Sequence, residues 1–405
     1  MEFKQYPSYK KSGVEWLGDV PAEWNIYPFW YLFNRKEITN KTQEQLLSVY
    51  LDRGVILHSE GGGMVHKPAD NLEKYQLVEV NDFVMNNQQA WRGSVGVSPY
   101  RGIVSPAYLI FSFNKTLCEP KFFKYFLRDK GIVDQFMIAS MSVGTIQRQV
   151  KGHLLKTIQL SIPSLIEQNT IANFLDTETA RIDNLIAKQE KLIELFKENI
   201  IALAMSEQIN GKGKLIRLCN IVEEIHRPTQ LIETEEYVAL GLYNRGRGLF
   251  HKPSTLGQDM GDSDFFYVNS GDLILSGQFA WEGAVAMASN TECGCVVSHR
   301  YPVLRGSLVN TEYLFALFMT DYGDYLLNDS SRGSAGRNKP LNTNILLKHK
   351  IRMPSKEVQE KIKTMLEQKL KLEIKVHEVI EKLKEYRSSI ISHAVTGKID
   401  VREFC

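Results

Sequence analysis

Residues 162–175 read IPSLIEQNTIANFL and residues 353–366 read MPSKEVQEKIKTML. Each stretch spells Pro-Ser-x-x-x-Gln, the two copies lie 191 residues apart, and each opens a run with apolar residues at three-four spacing. Proline followed by serine is a helix-start signal, because the serine oxygen accepts from one of the amides that the first turn leaves unpaired. In the first copy Ser164 and Glu167 spell an S-x-x-E capping box; the second copy begins at Ser355 and has Val358 where the glutamate would stand. The first stripe runs Ile182, Ile186, Ile193, Phe196, Ile200 and Leu203, widened by Leu185, Leu192 and Leu195, until Gly211 and Gly213 end it. The second runs Leu372, Val376, Val379, Leu383, Tyr386 and Ile390 before Gly397. Helices this long with one apolar side need a surface to lie against. Either each packs on its own globular domain, or the two pack on each other in antiparallel fashion; matching stripes of equal length favour the second arrangement. The stretch 176–206 alone would span ~45 Å at about 1.5 Å per residue.

The repeat extends beyond the helices. NDFVMNNQQAWRGSVG (81–96) aligns with GDLILSGQFAWEGAVA (271–286), placing Asp82 over Asp272, Gln88 over Gln278, Trp91 over Trp281 and Gly93 over Gly283. IVSPAYLIF (103–111) echoes VVSHRYPVL (296–304). A nearly constant offset across several motifs predicts two copies of one unit. In each copy short strand-like runs come first: VEVNDFVMN, SVGVS and AYLIFSF in one, FYVNSGDLILS and AVAMA in the other. Helical patterns at 119–137 and 311–327 follow. The expected fold is α+β: two globular α/β domains joined by two long antiparallel helices as a pseudo-two-fold tandem repeat. Its domains would be 1–162, a helical region 163–212, 213–353, and a second helical region 354–405.

Composition sets outer limits. A chain of 405 residues, 43% hydrophobic and 24% charged, buries more than one core. No apolar run reaches membrane-span length and the start, MEFKQYPSYKK, lacks a signal-peptide core, so a cytoplasmic protein is expected. Five cysteines at 118, 219, 293, 295 and 405 suit free thiols in a reducing compartment; Cys293 and Cys295 read as strand thiols, with no second pair at zinc spacing. A net charge of +2 argues for no partner by itself.

Catalytic signatures are missing: there is no phosphate loop, zinc helix, nucleophile elbow or dinucleotide fingerprint, and no Asn/Asp-Pro-Pro-aromatic motif. What remains is amide-rich and arginine-bearing loop chemistry. Asn86, Asn87, Gln88 and Gln89 precede Trp91 and Arg92; Gln147 and Arg148 follow a Ser-Val-Gly-Thr turn; Arg245 and Arg247 flank glycines. Gln278 and Arg300 lie in the second copy, and Arg332, Arg337, Asn338 and Lys339 sit in a Ser/Gly-rich loop. Asn and Gln pair with adenine and Arg with guanine in the major groove, while Ser, Lys and backbone amides hold phosphates, so fourteen of these positions, all but Gln89 and Trp91, are the candidate DNA-binding residues. Taken singly, most of them also suit a solvated loop. Trp91 and Trp281 read as core anchors beside a tight turn, and Asp82 and Asp272 as turn caps.

SGVEWLGDVPAEW (12–24), the two Asp…Ala-Trp-x-Gly stretches and IPSLIEQNTIANFLDTETARIDNLIAKQEKLIELFKENI together resemble the specificity subunit of type I restriction-modification systems. The resemblance covers essentially the whole chain and lies in the order of features. It implies two target recognition domains, each reading one half of a bipartite, asymmetric double-stranded DNA site. It further implies helices that dock two methyltransferase subunits and, through them, restriction subunits. On that reading the chain is not an enzyme and holds no cofactor; catalysis belongs to its partners, which accords with the absent motifs. The segment 12–24 has no counterpart before the second domain. A helical scaffold that binds protein, a nuclease with dispersed carboxylates, and a subunit serving a fused methyltransferase-nuclease are the rivals. Glu194-x-x-Lys197 matches Glu381-x-x-Lys384 at an offset of 187, four less than at the Pro-Ser motif, so one helical turn separates the copies. If the helices act as a ruler between half-sites about 34 Å apart, inserting four residues near Lys188 moves one domain by about 6 Å. The unspecified gap should then lengthen while both half-sites persist; methylation mapping that shows an unchanged gap refutes the ruler.

Overall fold

The computed structural model describes residues 3–51, 53–61, 68–143, 147–333 and 339–404. The chain forms two compact units, Met1–Ile186 with Ile380–Cys405, and Ala187–Val379.

In the first unit Phe83–Asn86 is an inner strand of a four-stranded antiparallel sheet, between Tyr108–Phe113 and Val95–Val97, with Phe33–Lys36 on the far edge. Side chains alternate across a strand, so Phe83 and Met85 join a core with Phe122, Phe126 and Phe136, while Val84 joins a second with Val49, Val104 and Ile110. Burial on both faces explains why FVM is continuously apolar. The second unit repeats this order: Leu273–Leu275 lies between Val303–Gly306 and Val285–Met287, with Val222–Glu224 on the edge. Leu273 and Leu275 pack with Tyr313, Leu317 and Phe318; Ile274 packs on the other face with Leu240, Val268 and Val297. The helical patterns at 119–137 and 311–327 each break into two helices, Pro120–Phe126 and Lys130–Ile138, then Thr311–Phe318 and Asp321–Asp329. Asp129 and Thr320 cap the second helix of each pair by accepting from Gly131 and Gly323.

The long helices are Leu165–Asn210 and Lys356–Val395. They exceed the span read from the stripe because their first turns lie on the globular parts. Ile171, Ala172 and Leu175 belong to the first unit's core, as do Ile390, Ala394 and Val395 from the end of the second helix. Phe174 meets Phe404 with ring centroids 5.9 Å apart, whereas Asp183, further along, pairs with Arg387 at 3.2 Å. In the second unit Ile200 and Ala204 share a core with Ile362, and Glu207 accepts the Ser355 amide at 2.8 Å. Within each unit the two helical segments therefore run in opposite directions, and each also packs on globular core, so the two arrangements weighed from sequence coexist.

The repeated glutamine explains the repeated motif. Gln168 is fully buried: its Nε2 donates to Pro163 O (2.9 Å) and Leu117 O (2.7 Å), and its Oε1 accepts from the Glu119 amide (2.7 Å). Gln359 donates to Pro354 O (3.1 Å) and accepts from the Asn310 amide (2.8 Å). Glu119 and Asn310 are the residues from which the first short helix of each pair starts. One carboxamide thus ties the start of a long helix to the start of a short one in its own unit. The capping box is only half built. Ser164 Oγ accepts the Glu167 amide at 3.3 Å, but the Glu167 carboxylate accepts instead from Tyr6 Oη (2.7 Å) and Trp24 Nε1 (3.0 Å). Burial first, and then this carboxylate, push the Tyr6 hydroxyl pKa far up. The segment at 12–24 is thereby fastened at its end, where Trp24 is fully buried, and just before it Tyr9 Oη donates to Gly397 O at 3.0 Å.

Replacing Gln168 by Ala strands one buried carbonyl and leaves a half-buried carbonyl and amide without their partner, and should cost about 2–4 kcal/mol, read as a lower urea midpoint. A cost under about 1 kcal/mol would mean that water replaces the carboxamide.

Candidate nucleic-acid interface

Each inner strand runs into a turn that presents the Ala-Trp-x-Gly sequence. Before the strand, Asp82 accepts the Glu79 amide and Asp272 the Asn269 amide, both at 2.8 Å, which are the turn caps expected from sequence. Both carboxylates also hold cations. Lys36 reaches Asp82 at 2.5 Å, while the fully buried Asp272 is held by Arg227 (2.6 Å) and Arg305 (2.5 Å).

Beyond the strand, a single helical turn, Ala90–Arg92 or Ala280–Glu282, is closed by a left-handed glycine, Gly93 (φ 92°) or Gly283 (φ 69°). A non-glycine residue is strained there. The buried anchors are Ala90 and Ala280; Trp91 and Trp281 are half-buried, which corrects their reading as core residues. Their indole N–H groups bend back to Gln88 O (3.0 Å) and Gln278 O (3.1 Å), fixing the ring planes. Cations cover those rings: Arg92 and Arg148 lie 5.6 and 5.7 Å from the Trp91 centroid, and Lys339 lies 4.9 Å from that of Trp281.

Six candidates from the first copy fall into two groups. Asn86, Asn87, Gln88 and Arg92 form the turn itself, with Asn86 Oδ1 accepting the Gln88 amide at 3.0 Å. The Asn87 amide donates to Ala107 O and its carbonyl accepts from Val150, which brings the strand Gln147–Val150, carrying Arg148, beside the turn. Asn87 Oδ1 is buried without a partner. The Gln147 side chain lies outside the described residues.

In the second copy, the loop carrying Arg245 and Arg247 is pinned to the tryptophan turn. The Arg245 amide donates to Glu282 O (3.2 Å), that of Gly246 to Gly283 O (2.9 Å), and the Asn244 amide side chain to the Glu282 carboxylate. Arg245 itself is left-handed, at φ 58°. Gln278 and Arg300 are exposed, and Gly277 N donates to Arg300 O at 2.7 Å, so the two loops adjoin. Arg332 turns to Asp329 at 3.6 Å, with no stacking on Trp281 among the described contacts. Arg337 and Asn338 lie outside the described residues. Glu282 stands where the first copy has Arg92, so the two turns differ in charge.

Sequence reading missed a second pair of stacks. The hairpin Leu47–Tyr50 with Gly54–Leu57 lays Arg53 over Tyr50 at 4.6 Å, and the hairpin Leu240–Leu242 with Leu249–His251 lays Arg247 over Tyr243 at 5.3 Å. YLDRG (50–54) and YNRGRG (243–248) were the signal, with tyrosine leading into Arg-Gly at the same place in each copy.

Other chemistry is sparse. Among the described residues no cluster of three His, Cys, Asp or Glu is placed to hold a metal ion, and no helix is long and apolar enough to cross a membrane. Cys293 is exposed and Cys295 buried, on either side of the left-handed Gly294 in a turn that precedes the strand Val296–Ser298, so neither is a strand thiol. Burial raises the pKa of the Cys295 thiol.

Residues 225–385 match the family described as type I restriction modification DNA specificity domain. A chain solved in work on complex assembly and conformational transition of the type I R-M system superposes with a TM-score of 0.63 at 14% identity, covering 93% of this chain and 98% of that one. The HsdS subunit from Thermoanaerobacter tengcongensis gives a TM-score of 0.50, also at 14% identity, over 94% of this chain and 98% of that one. At such identity the likeness is one of fold. Among curated proteins, none matches the sequence significantly.

Removing Asp272 strands two arginines, whereas removing Asp82 frees a single lysine. Asp272→Ala should therefore cost about 3–5 kcal/mol and Asp82→Ala clearly less, as measured by chemical denaturation. Equal costs would show that the second arginine adds nothing.

Proposed function

We propose that this chain, whose residues 225–385 match the type I specificity domain and whose fold is similar to that of a chain solved in work on the type I R-M system, is a specificity subunit of such a system and reads a bipartite, asymmetric DNA site, one half with each unit. The observation that carries this reading is the matched pair of tryptophan turns. Each hangs from an inner strand of a sheet with the same strand order, and each holds a half-buried indole by its N–H under a cation. A fixed aromatic plane, a positive charge and neighbouring amide side chains supply what base-edge and phosphate contacts require.

On this reading 1–162 and 213–353 are target recognition domains, 163–212 and 354–405 are helical spacers, and the chain is a tandem repeat with pseudo-two-fold symmetry. Two methyltransferase subunits would match that symmetry, and restriction subunits would join through them. The chain itself contributes recognition, leaving methyl transfer, cleavage and any flipping of the target adenine to its partners. Asn86, Asn87, Gln88, Arg92 and Arg148 form the proposed contact set of the first domain, with the Gln147 backbone beside them. Arg245, Arg247, Gln278, Arg300 and Lys339 form that of the second, with Arg332, Arg337 and Asn338 proposed alongside them from sequence.

A modest net charge of +2 is compatible with DNA binding if the methyltransferases enclose much of the duplex. The test is a domain exchange. Replacing 213–353 by the corresponding domain of another such subunit, in complex with the cognate methyltransferase, should change one half of the methylated motif and preserve the other. If both halves change, or neither does, the two-domain reading fails.

A further inference from the structure

We infer that the hairpin tip in each unit enters the DNA major groove, where Arg53 in the first unit and Arg247 in the second each read a guanine of their own half-site. The inference rests on the DNA-recognition reading above and names residues for it. Its first support is shape: both arginines lie at the turn of a two-stranded antiparallel hairpin, a form that the major groove admits.

The second is preorganisation. Stacking on Tyr50 and Tyr243 fixes the plane of each guanidinium without using its N–H donors. Arg53 gives one N–H to Glu60 O (3.3 Å) and Arg247 gives Nε–H to Asn244 O (3.1 Å), which leaves most of the five donors for a ligand. Among the described residues neither is ion-paired, unlike Arg101, Arg227 and Arg305, which carboxylates engage.

The third is location. In the first unit Ser94, directly after the tryptophan turn, donates from Oγ to Val49 O (3.1 Å), and a Cβ on Gly96 would lie 3.2 Å from the Gly54 Cα. In the second the backbone bonds from Arg245 and Gly246 to the tryptophan turn hold the tip. Each tip is thus braced against the turn whose indole carries the other cation. A planar fork held in place is the donor geometry that pairs with guanine O6 and N7.

The test uses the full chain with its methyltransferase and maps methylation over a library of duplexes. Arg53→Ala should relax a G·C requirement at one position of one half-site, with discrimination falling about tenfold or more, and Arg247→Ala should do the same in the other half. Arg53→Lys and Arg247→Lys keep the charge and lose the fork, so they should relax the same positions. Uniform weakening across all sequences that the lysine variants rescue would identify phosphate anchors and overturn the inference. So would unchanged specificity, or both arginines acting on the same half. A wild-type complex with no bipartite preference would instead overturn the function proposed above, and this inference with it.

Discussion

The buried carboxamide of Gln168, and that of Gln359 in the second unit, is the contact on which the rest of the architecture depends. A long helix emerging from a mixed α/β domain has unpaired amides at its start, and so does the short helix beside it. One glutamine serves the loops leading into both, engaging three backbone groups through Gln168 and two through Gln359 with a single side chain each. An alanine or leucine could fill the space but could not donate and accept at once. That requirement, rather than helix propensity, accounts for a glutamine four residues after each serine.

The sheets show how the same plan tolerates different chemistry. Asp82 and Asp272 cap equivalent turns, yet one is neutralised by a lysine and the other by two arginines, Arg305 from the adjacent strand and Arg227 from a connecting loop. Likewise Arg92 and Glu282 occupy the same place after tryptophan, and the glutamate is absorbed by Asn244 on the neighbouring hairpin. Backbone geometry is held by glycines, aspartates and apolar strands, while the exposed positions between them vary in charge. A scaffold of that kind can change its surface chemistry without changing its fold.

Much of this was legible in the sequence, because period-two and three-four patterns, the Pro-Ser start and the offset repeats are local signals. The strands around residue 84 and residue 274 and both long helices follow directly from them. What was not legible depends on partners distant in the chain. Glu167 leaves its capping role because Tyr6 and Trp24, 161 and 143 residues away, bring donors to it. Ala-Trp-x-Gly does not disclose which residue turns inward; the smaller one does, since the turn fits a methyl group against the sheet and leaves the indole at the rim. Arg148 reaches Trp91 only because its strand is hydrogen-bonded to the turn, and the Tyr50 and Tyr243 stacks depend on hairpin twist, so composition pointed to the right loops but not to their pairing.

The discontinuity of the first unit sets an order of events in synthesis. Its core includes Ile390, Ala394, Val395 and Val401, Lys4 bridges to Asp400, and Tyr9 bonds to Gly397. The unit whose first residues are made earlier therefore cannot close until the segment from Ile380 onward has been made, whereas Ala187–Val379 is continuous and has all its parts earlier. Domains made first ordinarily finish first. Here the aromatic core around Phe83 and Phe122 must wait half-assembled through the translation of more than two hundred further residues.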